Sequence, residues 1–161
     1  MDLLPHAPGV ANGVTVRAGR IGQRLLLEYQ IEMLADVTFA DAPPGRADGL
    51  WQHTCFEAFI AGAGTGYLEF NFAPSGAWAA YVFDDYRAGI RNADVVPRVT
   101  WIDGKLAAQV DVATAGDWQV NLSAIIEETD GTKSYWALAH PDGPPDFHDP
   151  ACFVLDLPAV G

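Results

Sequence analysis

The sequence predicts an all-β fold, most simply an antiparallel β-sandwich of about ten strands, on three observations. Turn signals recur at short intervals, among them Asn12-Gly13, Pro74-Ser75-Gly76 and Asp130-Gly131. Between the turns, apolar side chains recur at every second position, which is the period of a strand with one face in a core. No long amphipathic helix, internal repeat, low-complexity tract or linker divides the chain. We therefore expect a single domain over residues 1–161.

The predicted strands follow these turns in order. They span residues 14–18, 24–33, 51–60, 67–73, 78–83, 95–102, 105–112, 119–127, 134–139 and 152–157. The first two follow the Asn12-Gly13 turn, the next three hold nine aromatic side chains between Leu50 and Phe83, and the last follows the proline-rich segment HPDGPPDFHDP.

Strands 95–102 and 105–112 form a predicted hairpin because an Asp103-Gly104 turn of two residues fixes their register. That register pairs Ile102 with Lys105 and Trp101 with Leu106. It also separates an apolar face from a polar one: Pro97, Val99, Trp101, Leu106, Ala108 and Val110 against Arg98, Thr100, Gln109 and Asp111. A slip by one residue would mix the two sets, so the pattern specifies this register.

The aromatic strands 51–60, 67–73 and 78–83 predict a ligand-binding face. One side, which we assign to the core, carries Phe56, Ala58, Ile60, Leu68, Phe70 and Phe72. The other side then carries Trp51, His53, Cys55, Glu57, Phe59, Tyr67, Glu69, Asn71, Tyr81 and Phe83. Sugar rings present flat C–H faces and outward hydroxyls, which suit aromatic rings beside carboxyl and amide groups. The alternative is an ordinary sheet face, with exposed glutamates and aromatics packed under a loop.

Charge limits the classes of partner. Twenty-one acidic residues against nine basic ones give a net charge of −12, which disfavours nucleic acid and anionic membrane surfaces. No apolar run approaches the roughly 20 residues that span a bilayer. The N-terminal segment has no basic stretch followed by an apolar one, so we expect a cytoplasmic protein. We expect Cys55 and Cys152 to be buried thiols, with a disulfide as the alternative if their strands are neighbours.

Metal binding and catalysis find little support in the sequence. His53, Cys55 and Glu57 alternate on one strand, but same-face neighbours start roughly 6.6 Å apart and rarely converge on one ion. We therefore predict no metal and no cofactor. No GxSxG, HExxH or phosphate-binding glycine motif is present. The alternative to a non-enzyme is glycoside processing with Glu57 and Glu69 as acid and base.

A family resemblance extends this interpretation. The pattern from Trp51 through Glu57 to Phe59, the segment YLEFNFAPSG and the later SYWALAHP resemble the DOMON-like ligand-binding domains and the related family-nine carbohydrate-binding modules. The resemblance covers about residues 14–157. It implies an immunoglobulin-like, jelly-roll-like β-sandwich that binds sugar in some members and haem in others, without catalysis. Thr54 departs from the pattern, because sugar-binding relatives tend to have Asp there.

The resemblance implies two candidate ligands. For haem, Met33 would pair with His140 or His148 as axial ligands, although Met33 lies in an apolar strand and is predicted to be core. A saccharide is the preferred prediction, bound on the sheet face and bordered by the loop 140–148. Its predicted binding residues fall into three roles: stacking by Trp51 and Trp136, hydrogen bonding by Glu57, Glu69 and Asn71, and orientation by His53, Tyr81, Arg87 and His140. Arg87 follows Asp84-Asp85, and the alternative for it is a surface ion pair.

Overall fold

The structure, a computed structural model, describes residues 1–159 as strands and connecting turns. In chain order its strands are β1 (Leu4–Pro5), β2 (Val14–Ile21), β3 (Arg24–Ile31), β4 (Gly45–Arg46), β5 (Cys55–Ala61), β6 (Tyr67–Phe72), β7 (Ala77–Phe83), β8 (Arg91–Asn92), β9 (Arg98–Ile102), β10 (Lys105–Asp111), β11 (Trp118–Glu127), β12 (Lys133–Ala137) and β13 (Leu155–Leu157). Two 3-10 turns, Leu50–Gln52 and Pro150–Cys152, precede β5 and β13. Within the described range no helix is long and apolar enough to cross a membrane.

The strands form two sheets. The smaller sheet has the order β2-β3-β10-β9. The larger sheet has the order β1-β12-β11-β5-β6-β7-β4, with β13 on β11 and β8 on β7. Pairing is antiparallel except for the two-residue contact of β4 with β7. The predicted antiparallel β-sandwich is confirmed.

The core lies between the two sheets. It packs Phe56, Ala58 and Ile60 of β5 with inward side chains of the smaller sheet such as Leu25 and Leu106. Each buried Phe, Ile or Leu side chain of this core stabilises the fold by roughly 1.5–3 kcal/mol relative to exposure. Successive side chains of a strand point to opposite faces of the sheet. Because these three residues of β5 face the core, the residues between them lie on the outer face of the larger sheet.

One polar contact crosses this core. The hydroxyl of Tyr29 on β3 donates a 2.6 Å hydrogen bond to the backbone oxygen of Glu57. Tyr29 is fully buried, so its hydroxyl requires a partner, and the contact fixes β5 relative to the smaller sheet. The same hydrogen bond fixes the backbone of Glu57, whose side chain lies on the outer face of the larger sheet.

The predicted hairpin register is confirmed. Ile102 pairs with Lys105 and Trp101 with Leu106. Asp103 and Gly104 have φ angles of 49° and 81°, the left-handed conformations that a type I′ turn requires. On β10 the predicted core residues Leu106, Ala108 and Val110 are buried and Gln109 is exposed, as the separation of faces predicts.

Strand boundaries differ in two places that affect the site. The strand predicted at 51–60 begins only at Cys55, because the preceding residues form the 3-10 turn Leu50–Gln52. The strand predicted at 24–33 ends at Ile31, and Met33 is 48% exposed, so its assignment to the core is wrong. The Asn12 side chain bonds the backbone N–H and oxygen of Met33 and holds that residue in the loop.

The cysteines match the expectation of buried thiols. Both Cys55 and Cys152 are buried and free. Cys152 lies in the 3-10 turn before β13 rather than in a strand, and its thiol donates to the backbone oxygen of Asp146 at 3.4 Å.

Candidate functional site

Strand register gathers polar side chains at the centre of the outer face. Glu57 of β5 lies opposite Ser123 of β11 on one side and Asn71 of β6 on the other. One step along the strands, Glu69 lies opposite Tyr81 of β7. Because all these residues have the outward parity, they form one polar floor, which we define as Glu57, Glu69, Asn71 and Ser123.

A cleft of about 690 Å³ opens above this floor. Strands supply its base, the 3-10 turn before β5 supplies one rim, and the loops after β7 and β12 supply the other. It is lined by Asp48, Gly49, Trp51, Glu57, Phe59, Glu69, Tyr81, Phe83, Arg87, Ile90, Ile125, Tyr135, Pro145, Phe147 and His148. Its volume falls in the range of small-molecule sites.

The two glutamates of the floor are held out of water. Glu57 is 3% exposed and Glu69 is 6% exposed. Burial raises the pKa of Glu57 to about 8, and the neighbouring charge of Glu69 adds to the shift while the Ser123 hydroxyl opposes it. Burial also raises the pKa of Glu69 to about 7, against the opposing effects of Asn71 and Arg87. The floor therefore carries protons at neutral pH.

Asn71 leaves hydrogen-bonding capacity unused in this floor. Its side chain is fully buried, and neither its amide nitrogen nor its amide oxygen has a protein hydrogen bond of normal geometry. Buried amides are nearly always satisfied, since an unpaired polar group costs about 1–3 kcal/mol. The amide of Asn71 therefore has unused hydrogen-bonding capacity beside Glu57, although the residue lies beneath the cleft rather than in its lining.

The loop after β12 closes the cleft through His148. The Tyr67 hydroxyl accepts the backbone N–H of Arg87 at 3.1 Å and lies 2.7 Å from Nδ1 of His148. Nε2 of the same ring lies 3.7 Å from Oε2 of Glu69. Burial, followed by the charge of Arg87, lowers the pKa of His148 to about 4. His148 is therefore a neutral imidazole at physiological pH.

Arg87 is fixed at the rim by an ion pair. Its guanidinium lies 2.7 Å from Oδ1 of Asp146, whose other oxygen accepts from Tyr86. The ion pair foreseen as the alternative for Arg87 therefore exists, with Asp146 as the partner, and Arg87 lines the cleft as well. The backbone of Arg87 has φ 49°, which is strained for a residue with a side chain.

Tyr81 and Trp51 form the rim next to the 3-10 turn. The Tyr81 hydroxyl donates a 2.6 Å hydrogen bond to Oδ1 of Asp48. Burial and this contact raise the pKa of Tyr81, so the phenol stays protonated. Trp51 is 54% exposed, which leaves much of its indole open to a ligand.

The structure brings together five of the nine residues predicted from the sequence. Those that line the cleft are Trp51, Glu57, Glu69, Tyr81 and Arg87. Asn71 belongs to the floor directly beneath them.

The other three lie elsewhere. His53 follows the 3-10 turn rather than belonging to β5, and its Nδ1 is 2.7 Å from Oε2 of Glu127 in a neighbouring groove. Trp136 is 3% exposed in the core between the sheets, because it pairs with Ala124 on the inward face of β11. The ring of His140 bonds the backbone oxygen of Leu4 at 2.7 Å. The structure therefore does not bring these three residues to the cleft.

Several lining residues are not among the predicted binding residues, although the loop 140–148, which holds Phe147 and His148, is predicted to border the site. Tyr135 has the parity opposite to Trp136 and reaches the cleft, and Phe147 and His148 come from the proline-rich loop. Alternation along β12 could have identified Tyr135 once the facing strand was known. A loop has no such period, so Phe147 and His148 could be suspected only from their residue types.

The contacts of Thr54 give a structural role to the residue that stands where sugar-binding relatives tend to have Asp. Its hydroxyl donates to the backbone oxygen of Thr38 at 2.7 Å and accepts the backbone N–H of Glu127 at 3.0 Å. The side chain is buried in this contact and does not line the cleft. An Asp-type ligand contact from this position is therefore absent here.

The described residues do not provide a set of donor side chains that matches a metal ion or a haem. Among the described residues, no group of three or more His, Cys, Asp or Glu side chains is placed to hold a metal ion. For haem, Met33 lies in the loop after β3 and does not line the cleft, and of the two histidines only His148 does. The Met–His pair that the resemblance implies does not fit.

Comparison with known proteins supports the fold. No protein-family model matches the chain, and no curated protein matches it significantly. A candidate carbohydrate-binding protein from Bacteroides uniformis has a similar structure, with a TM-score of 0.70 at 17% identity over 91% of this chain and 78% of that one. A family-nine carbohydrate-binding module from Caldicellulosiruptor kristjanssonii, solved with glucose, gives a TM-score of 0.61 at 8% identity over 98% and 81%. At these identities the likeness establishes a shared β-sandwich fold.

Proposed function

We propose that the protein binds a saccharide in the outer-face cleft and performs no reaction on it. The observation that carries this proposal is a buried polar floor beneath aromatic side chains in a cavity of about 690 Å³. The rings of Trp51 and Tyr81 at the rim suit the C–H faces of a sugar. The carboxyls and amide of the floor suit its hydroxyls.

The similar structures support the same ligand class. One is a candidate carbohydrate-binding protein and the other a family-nine carbohydrate-binding module in complex with glucose. The exposed Trp51 and the buried Glu57, which line the same cleft, support the proposal with chemistry that suits a sugar. The DOMON-like resemblance is part of this proposal, with sugar rather than haem as the ligand.

Glycoside hydrolysis is less well supported by the two glutamates. A hydrolase needs one protonated carboxyl as acid and one ionised carboxyl as base or nucleophile, which requires environments that separate their pKa values. Burial raises the pKa of both Glu57 and Glu69 well above the usual range. Groups shifted in the same direction suit hydrogen bonding to hydroxyls better than a division into acid and base.

The test is a binding panel with a catalytic control. We expect the melting temperature to rise with the right mono- or disaccharide, by mass action, and isothermal titration to confirm binding at one site. Chromogenic glycosides should release no product, and haemin should give no sharp visible absorption band. A full sugar panel without any thermal shift would overturn the proposal, and turnover of a glycoside would replace it with an enzyme.

A further inference from the structure

The cleft has an excess of acidic groups. Asp48, Glu57 and Glu69 line it, whereas Arg87 is the only permanently charged cation among its described lining residues. Asp146 already pairs with that guanidinium at 2.7 Å. His148 approaches Glu69 at 3.7 Å but is held neutral by burial. Among the described residues, no charged cationic side chain pairs directly with either glutamate of the floor, although the charge of Arg87 lowers the pKa of Glu69 in part.

The second observation is the orphaned amide of Asn71. It lies directly opposite Glu57, is fully buried, and makes no hydrogen bond of normal geometry to protein, although it lies close enough to Glu69 to lower the pKa of that carboxyl. A ligand group that both donates and accepts hydrogen bonds would satisfy it. An amine with neighbouring hydroxyls provides donors to the carboxyls and an acceptor to the amide at one place.

We propose that the bound saccharide is an amino sugar, whose ammonium group binds at Glu69 and Glu57 on the floor of the cleft. This inference rests on the proposed function, since it specifies the ligand class of the same site. Glu69 is the more accessible of the two carboxyls, so the ammonium contacts it first. Glu57 is more deeply buried and accepts a hydrogen bond from Ser123.

A molecular ammonium fits this site better than a metal ion. A metal requires several converging ligands, and the described residues offer no group of three or more such side chains. An ammonium carried on a sugar ring brings its own N–H donors and needs only two acceptors. The lining also includes Trp51, Tyr81 and Tyr135, whose ring faces attract cations.

A neutral sugar leaves the acidic floor less well satisfied. Hydroxyl groups can bond a carboxyl but cannot offset the burial of its charge, so the floor must keep its protons. An ammonium stabilises the carboxylate form by direct charge interaction. Binding of an amine therefore releases protons from the floor at neutral pH, and binding of a neutral sugar releases few.

The other titratable groups near the two glutamates should not contribute to this proton release between pH 6 and 8. The titratable and charged groups that face the glutamates are Tyr29, Cys55, Tyr67, Tyr81, Asp48, Arg87 and His148, and burial raises the pKa of both Tyr29 and Tyr67. Burial raises the pKa of the Cys55 thiol, burial and Asp48 raise that of the Tyr81 phenol, and burial lowers that of His148 to about 4. Between pH 6 and 8 the released protons come from the two carboxyls.

The experiment compares matched sugars with the wild-type protein. Isothermal titration at pH 6.5 and low salt would use glucose, glucosamine and 6-amino-6-deoxyglucose, which differ by one amine. We expect at least one amino sugar to bind tenfold more tightly than glucose, which is about 1.4 kcal/mol. Titration in two buffers of different ionisation enthalpy should reveal proton release for the amino sugar only.

The outcomes separate the two proposals. If glucose binds and neither amino sugar binds more tightly, the amine inference is overturned and the saccharide site stands. If no sugar in the broader panel binds, both fail.

The matched variants are Glu69→Gln, which should bring the ratio of amino sugar to glucose affinity close to one, and Glu32→Gln. Glu32 is exposed after β3 of the other sheet, so the same charge change there should leave the ratio unchanged.

Discussion

Glu57 and Ser123 lie directly opposite each other on β5 and β11, and the Ser123 hydroxyl donates a 3.0 Å hydrogen bond to Oε2 of Glu57. A single neutral donor offsets only part of the cost of burying a carboxylate. The carboxyl therefore favours its protonated form, and its pKa is raised. A ligand that stabilises the carboxylate form would therefore displace this proton.

The raised pKa of Glu57 predicts a loss of stability with rising pH. Near pH 4 and below, both folded and unfolded chains hold the proton. Between that pH and about 8, only the folded chain holds it, so the free energy of unfolding falls by up to about 1.4 kcal/mol per pH unit. Glu57→Gln should remove this contribution and reduce the slope of the profile between pH 5 and 8, leaving the contribution of Glu69.

Urea unfolding followed by tryptophan fluorescence at pH 5, 6, 7 and 8 measures the effect. Glu32→Gln, an exposed carboxyl on the other sheet, should follow the wild-type profile. Parallel profiles for wild type and Glu57→Gln would contradict the assignment of a protonated floor.

The floor was predictable because the strands that build it have one clearly apolar face. On β5 and β6, assigning Phe56 and Phe70 to the core fixes the outward parity of Glu57 and Glu69. The hairpin at Asp103-Gly104 was predictable for the same reason, with a turn that sets the register.

The errors arose where that reasoning lacks a signal. β11 is buried on both faces for most of its length, so alternation cannot tell which side of the paired β12 meets the core. Residue type alone therefore places Trp136 at a ligand, whereas the structure directs it inwards. Alternation also predicts His53 in a strand, but Gly49, at φ 73°, begins a 3-10 turn that ends the alternation before Cys55.

Trp51 should affect binding far more than folding. Its side chain is 54% exposed, so Trp51→Ala should change the free energy of unfolding by no more than about 0.5 kcal/mol. Loss of the stacking surface should weaken sugar binding at least tenfold, about 1.4 kcal/mol. Isothermal titration and urea unfolding of the same preparation measure both quantities. Unchanged sugar affinity would remove Trp51 from the site.

Trp136 should behave in the opposite way. It packs in the core between the sheets, and its indole nitrogen donates to Ser134 at 2.8 Å. Trp136→Ala should lower the free energy of unfolding by about 3–5 kcal/mol. Trp136→Phe retains most of the volume and is the milder variant for binding studies. If Trp136→Phe folds as wild type and selectively loses sugar binding, the core assignment is wrong.

His148 should remain neutral well below pH 6. Burial lowers its pKa to about 4, so the stability it contributes is present above about pH 6.5 and is lost as the pH falls towards 4. The Tyr67 hydroxyl, which accepts from the N–H of Arg87, can donate to Nδ1 and leave the proton on Nε2. Nitrogen-15 NMR of the imidazole should detect the Nε2–H tautomer, and Tyr67→Phe should release it. Titration of His148 near pH 6.5 would contradict this geometry.

The turn at Gly104 offers a test of stability that is independent of the site. Its φ of 81° is left-handed, so Gly104→Ala should cost about 1–2 kcal/mol and lower the melting temperature by several degrees. An added Cβ would also lie 2.9 Å from the end of the Leu34 side chain, which can move aside.

Asp103→Asn is the matched control, because Asn tolerates the left-handed conformation at φ 49° and should leave stability nearly unchanged. The turn joins β9 and β10 of the smaller sheet, so sugar affinity measured below the unfolding transition should be the same in both variants. Equal melting temperatures for Gly104→Ala and wild type would show that this hairpin does not require the type I′ turn.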